Sequence, residues 1–155
     1  MIALPNYADI NGRPMKKLQI QQYLRKLQLN DFEPAVNLAT LTKLQYAHLK
    51  YIPYENFDSL NGKITSLKRQ DMFNKVIMHN RGGICFELNG LYNWLLESLG
   101  FEVTSYAARF IDKMETYQLR RHRVMCVALG EKRYLTDVGV NSESPRVPLE
   151  ITEGL

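Results

Sequence analysis

Along residues 15–30, MKKLQIQQYLRKLQLN, apolar side chains recur as Leu18, Tyr23, Leu24 and Leu27 with polar residues between them. That period predicts an amphipathic helix, and Pro14 stands where a helix can start. EPAVNLATLTKLQYAHLKYI (33–52) repeats the period through Val36, Leu41, Leu44 and Leu49, and Pro53 ends it. PYENFDSLNGK (53–63) is punctuated by Pro53 and Asn61-Gly62 and predicts loop and turn. LKRQDMFNKVIMHN (67–80) predicts a third helix with Met72, Phe73, Val76 and Ile77 on its apolar face, stopped by Gly82 and Gly83. From Cys85, CFELNGLYNWLLESLG sets Leu88, Leu91, Tyr92, Leu95 and Leu99 at three- and four-residue intervals, with Gly100 at the cap position.

The period then shortens. FEVTSYAARF (101–110), HRVMCVAL (122–129) and KRYLTDVGV (132–140) are short, partly alternating and rich in β-branched and aromatic residues, which predicts strands. GEK (130–132) has the length of a hairpin link. A helical half over 1–100 followed by a β half over 101–155 makes the chain α+β. Three strands cannot close a barrel, so an edge of the sheet is expected to stand open.

Composition narrows the partners. The chain has 155 residues, 45% hydrophobic and 23% charged, as in a globular protein. No apolar run is long enough to cross a bilayer, and the N-terminus has no basic segment leading into an apolar one, so the expectation is a cytoplasmic protein without membrane contact. A formal charge of +4 raises the question of nucleic acid. The densest basic cluster, LRRHR (119–123), lacks interleaved aromatics, so no nucleic acid is expected and small anionic molecules fit better. Cys85 and Cys126 are the two cysteines. Neither lies in a CxxC pair or at a ligand-like offset from a histidine, so no metal is expected and both should be free thiols.

Cys85 opens a predicted helix one residue beyond HNRGG (79–83), with Ile84 between. A thiol in a helix's first turn meets unpaired backbone N–H groups and the positive end of the dipole, which favour a thiolate. The same N–H groups can hold the oxyanion of an acyl-transfer intermediate. A small buried hydrophobe at a helix start accounts equally well for this cysteine taken alone. A nucleophile needs a histidine to take its proton and a carboxylate to orient that histidine. His48 lies in a predicted helix and His79 at a helix end, where surface or capping roles are expected. His122 opens one strand and Asp137 ends the next, so a hairpin brings them level. An Asp in the apolar segment YLTDVGV wants a partner, and His122 is available. Asn89, four residues after Cys85, shares its helix face and can bond nearby backbone.

Together these segments resemble the arylamine N-acetyltransferases. RGGICFELN (81–89) is similar to that family's RGGxCxExN motif, and IPYENFD (52–58) to its PFENL-type segment. HRVMCV (122–127), YLTDVGV (134–140) and PLEI (148–151) continue the match in order. The resemblance implies a papain-like triad in which Cys85 takes an acetyl group from acetyl-CoA as co-substrate, His122 carries the proton and Asp137 orients His122. An arylamine or arylhydrazine would then accept the acetyl group in a ping-pong cycle. It also assigns Arg81 and Glu55 as an ion pair behind the nucleophile loop.

Two departures accompany the resemblance. The loop lining the acyl and cofactor cleft reads VGVNSES, with Gly139 followed by Val140 where the family has an aromatic residue and by Asn141 where it has a second glycine. Family members also continue past this length, completing a β-barrel and adding a C-terminal lid. The expectation is therefore an N-terminal helical bundle followed by an incomplete antiparallel β-barrel, with the lid absent. Two other outcomes stay open. One is an inactive remnant that self-associates or uses a partner chain to cover its β edge; the other is a thiol hydrolase built on the same triad.

Overall fold

The computed structural model describes residues 2–3, 13–110, 119–140 and 144–152. Helix α1 spans Lys17–Lys26 and α2 spans Leu38–Tyr51, the latter opened by the Asn37 side chain accepting from the Thr40 N–H at 2.8 Å. Residues 53–63 are not entirely loop: they hold a single turn, α3, over Phe57–Leu60. Helix α4 (Arg69–Phe73) passes without a break into a π-helical turn over Asn74–Met78. Helix α5 runs from Cys85 to Ser98 and ends before Gly100, whose φ of +92° is the left-handed turn a glycine takes most readily.

Strands β2 (Glu102–Ala108), β3 (His122–Leu129) and β4 (Lys132–Thr136) occupy the three segments expected. Two more pairs of residues join them, β1 (Ile2–Ala3) and β5 (Leu149–Glu150). Strands of two residues are too short to show a period, which is why the pattern missed them. The sheet runs β1-β2-β3-β4-β5, each neighbour antiparallel to the next. The described strands form an open antiparallel sheet in sequence order that does not close on itself, with the edge left open as expected.

Helix α5 is the axle of the core. Leu88, Leu91, Tyr92, Leu95 and Leu96 are fully buried, and so are Glu87, Asn89 and Asn93 between them. A helix buried all round must be covered on every side. Leu41 and Leu44 of α2, Tyr23 and Leu24 of α1, Met72, Phe73 and Val76 of the α4 region, and Met125 and Val127 of β3 complete the same apolar cluster. Two expected core positions are exposed instead. Leu18 lies near the start of α1, and Val36 lies before α2 begins.

His48 departs most from expectation. It is fully buried rather than on the surface, with its ring 5.3 Å from Tyr92 and 6.0 Å from Tyr23. Burial among apolar and aromatic groups lowers its pKa from 6.5 to about 3, so the ring is neutral at ordinary pH. Helix α2 is also tied to the sheet by a polar chain, in which Thr136 Oγ1 donates to Gln45 Oε1 and Gln45 Nε2 donates to the Pro145 carbonyl.

Candidate active site

The turn before α5 is built from glycines for want of space. A Cβ on Gly82 would collide with the Pro53 carbonyl oxygen, and one on Gly83 would lie 2.9 Å from Glu87 Oε2. Removing both side chains lets 53–55 run beside the turn, with Tyr54 bridged to Gly83 and the Glu55 N–H donating to the Gly83 carbonyl at 3.0 Å. The Glu87 carboxylate reaches back to the Ile84 N–H at 2.9 Å, closing the first turn of α5. Cys85 therefore leaves a fixed loop as the first helical residue, partly accessible, with its thiol 3.6 Å from the Arg121 carbonyl.

An ion network clamps this turn from behind. Arg81 Nε donates to Glu55 Oε1 at 2.8 Å, and Arg81 Nη2 reaches Asp58 Oδ1 at 3.2 Å. Lys75 Nζ then joins Asp58 Oδ2 at 2.9 Å to Glu87 Oε1 at 2.8 Å. Asp58, held by Lys75 and Arg81, has its pKa lowered. The Arg81–Glu55 contact is the pair the resemblance assigned. Asp58, Lys75 and Glu87 were not foreseen. Glu87 carried a signal, since an acidic residue three places after a helix start is a capping position. Asp58 and Lys75 come from other segments and carried none.

His122 begins β3, and Asp137 follows the last residue of β4. Their ladder ends at Met125↔Thr136, and continuing that register sets Asp137 beside Val124. The two are thus diagonal neighbours on one face rather than directly opposite. His122 Nε2 and Asp137 Oδ2 lie 2.6 Å apart, both residues buried. That leaves Nδ1 as the ring nitrogen available to Cys85. Burial lowers the His122 pKa, but the hydrogen bonds and charges of Asp137 and Cys85 outweigh it and raise the value from 6.5 to about 9. The Phe110 ring covers the imidazole with centroids 5.1 Å apart.

Asn89 is fully buried and ties three segments together. Its Nδ2 donates to Asp137 Oδ1 at 2.8 Å and to the Arg123 carbonyl, while its Oδ1 accepts from the Val138 N–H at 2.9 Å. The Gly139 N–H also donates to Asp137 Oδ1 at 2.8 Å. A Cβ on Gly139 would stand 2.9 Å from Cys85 Cα and 2.6 Å from Asn89 Nδ2, so this loop packs directly against the cysteine. Val140 follows, its N–H bonded to Ser144 Oγ at 3.0 Å. Asn141 lies outside the described residues. Among the described residues no group of three His, Cys, Asp or Glu side chains is placed to hold a metal, and no helix is long and apolar enough to cross a membrane.

The mixed helix-and-sheet fold thus brings a thiol at a helix start toward an imidazole bound to Asp137. Residues 37–155 match the family model described as N-acetyltransferase. The chain is 36% identical over 138 residues to an arylamine N-acetyltransferase of Mycolicibacterium smegmatis, covering 85% of this chain and 50% of that protein. It is 34% identical to the arylamine N-acetyltransferase of Escherichia coli K12 over 78% of this chain and 43% of that one. A solved arylamine N-acetyltransferase from Salmonella typhimurium superposes with a TM-score of 0.83 at 29% identity, over 89% of this chain and 50% of its own. The chain belongs to the arylamine N-acetyltransferase family, and it spans about half the length of the curated relatives it matches.

Proposed function

We propose that Cys85, His122 and Asp137 form a papain-like triad that moves an acetyl group from acetyl-CoA to an aromatic amine or hydrazine. The observation that carries this reading is the 2.6 Å contact between His122 and Asp137, buried against the start of α5. In the first half-reaction the Cys85 proton already stands on His122, as the raised pKa of that ring favours, and the Cys85 sulfur attacks the thioester carbonyl. The N–H groups at the start of α5 face the oxygen that becomes negative. The tetrahedral adduct collapses to acetyl-Cys85, and the departing CoA sulfur takes the proton from His122. In the second half-reaction the amine nitrogen attacks acetyl-Cys85 and passes a proton to His122. That proton stays on His122 as the amide leaves, which restores the starting pair with no net proton gained by the protein.

In this reading residues 1–100 carry the nucleophile and 101–155 carry base and acid. Arg81, Glu55 and Asn89 position them, and the Gly139–Val140 loop borders the acyl group. The open edge at β5, where Leu149 and Ile151 are exposed, supports pairing of the sheet with more polypeptide: a second copy, a partner chain, or the further length that the relatives possess. Two free thiols fit a reducing compartment, and the cytoplasm is the location proposed.

The test is mass spectrometry of the chain after acetyl-CoA, with and without an arylamine. One acetyl group on Cys85, discharged to the amine on its addition, is the expected result. An adduct that decays to acetate at the same rate without amine would make the protein a thiol hydrolase. No adduct on Cys85 would overturn the triad's role in this chain.

A further inference from the structure

The chain that leaves β4 carries Asp137 and lays Gly139 on the cysteine, and a side chain from the helical half ties it to the chain that leads into β5. Gln45 stands in the middle of α2 and is fully buried. Its Oε1 accepts from Thr136 Oγ1, at the last residue of β4 and next to Asp137. Its Nε2 donates to the Pro145 carbonyl, four residues before β5 begins. A carbonyl can only accept, so Pro145 fixes which way round the amide sits. Thr136 is fully buried too, and neither its hydroxyl nor the amide has water as an alternative partner.

Between these anchors the described backbone is braced at each step. The Val138 N–H donates to Asn89 Oδ1 at 2.9 Å, the Gly139 N–H to Asp137 Oδ1 at 2.8 Å, and the Val140 N–H to the buried Ser144 Oγ at 3.0 Å. Asn89 thus holds this chain from α5, and Gln45 holds it from α2. The hold bears on the space at the sulfur. A Cβ on Gly139 would stand 2.9 Å from Cys85 Cα and 3.0 Å from Cys85 Cβ, so backbone rather than a movable side chain walls that side of the cysteine. Such a wall recedes only if its anchors give.

We propose that Gln45 is a positioning residue of the acyl site: by tying Thr136 to Pro145 it holds Gly139 against Cys85 and restricts what can be joined to the sulfur to small groups. That the group is an acyl group rests on the acetyl-transfer reading; the restriction of space does not. The test alkylates Cys85 with iodoacetamide and with N-benzyliodoacetamide, which share a reacting carbon and differ in bulk, each rate being divided by that of glutathione. A single rate follows the thiolate fraction, whereas the ratio of the two follows the space at sulfur. In the wild type the benzyl reagent should be slowed at least about tenfold more than iodoacetamide. In Gln45→Met, which keeps the side chain's length and loses both bonds, that ratio should fall about fivefold, and amide hydrogen exchange should quicken at Gly139 and Val140 but not in α5. Ser144→Ala frees the Val140 N–H without touching the helical core, and it should move the ratio the same way even if Gln45→Met does not fold. A wild-type ratio equal to that of glutathione, a ratio unchanged in the folded variants, or exchange that quickens as much in α5 as at Gly139 would each overturn the assignment. No acetyl-CoA enters these measurements, so a failure of the acetyl-transfer reading is seen separately.

Discussion

Asn89 holds Asp137 from the side opposite His122: its Nδ2 donates to Oδ1 at 2.8 Å, while His122 Nε2 meets Oδ2 at 2.6 Å. The carboxylate is thereby fixed in rotation, and the imidazole it contacts is fixed with it. The same amide binds the Arg123 carbonyl of β3 and the Val138 N–H beyond β4. One helix side chain thus sets the spacing of the helix, strand and loop on which Cys85, His122 and Asp137 stand.

Replacing Asn89 with Leu, similar in size but without polar atoms, removes all of these bonds. Buried donors and acceptors left unpaired cost about 1–3 kcal/mol each. Iodoacetamide should then alkylate Cys85 about 10- to 100-fold more slowly, with buried Cys126 as the internal reference. An unchanged Cys85 rate in a folded Asn89→Leu protein would show that Asp137 is held without the amide.

His122 gives a pH signature. Its pKa is raised from 6.5 to about 9, so the protonated ring is favoured in the folded state. The stability from that charge is fully present below 6.5 and is lost as pH rises through about 9. The His122 ring proton resonance should titrate near 9 in the wild type. In Asp137→Asn, where burial is no longer opposed by the carboxylate charge, it should titrate well below that. Thermal stability of the wild type relative to Asp137→Asn should narrow over the same interval.

How far the site could be read in advance depended on whether its parts were neighbours in sequence. Cys85 lies two residues after Gly83, and a thiol at a helix start just past a pair of glycines was visible in RGGIC. His122 and Asp137 were visible as polar residues at the ends of two apolar strands joined by a short link. Their diagonal register was not visible, because it depends on where the ladder stops, at Met125 and Thr136. Lys75 and Asp58 were invisible as site residues, since their charges meet only after α3 and the π-helical turn are packed together. The two outer strands were too short to carry a period, whereas His48 stands four residues after Leu44 and seven after Leu41, on the apolar face the spacing predicts, and only its residue type argued for the surface.

Lys75 should therefore matter more than its sequence setting suggests. Glu87 is 3% exposed, and Lys75 is its ion-pair partner. Lys75→Met leaves a buried carboxylate uncompensated, which costs about 3 kcal/mol or more when one member of a buried pair is lost. Differential scanning calorimetry should show a lower melting temperature for Lys75→Met. The double variant Lys75→Met with Glu87→Gln should recover part of the loss, because the buried charge is then gone. A double variant no more stable than the single one would place the defect in packing rather than charge.

His48 should set the acid limit of the fold. Both ring nitrogens and the Tyr23 hydroxyl lack hydrogen-bond partners among the described residues. The folded pKa is lowered from 6.5 to about 3, so between these values the unfolded chain binds a proton that the folded one does not. Stability is then present above 6.5 and falls as pH drops toward 3, by up to about 1.4 kcal/mol per pH unit for this one group. His48→Leu keeps much of the volume, removes the unpaired nitrogens and removes the proton. Its stability relative to wild type should rise steadily as pH is lowered from 7 to 4, measured by urea unfolding at each pH. At pH 7 the two proteins should lie within about 1.5 kcal/mol of each other, since a volume-conserving apolar replacement costs little where the polar atoms bonded nothing. A stability difference that did not change with pH would mean that His48 is reached by a proton, or by water, in the folded state.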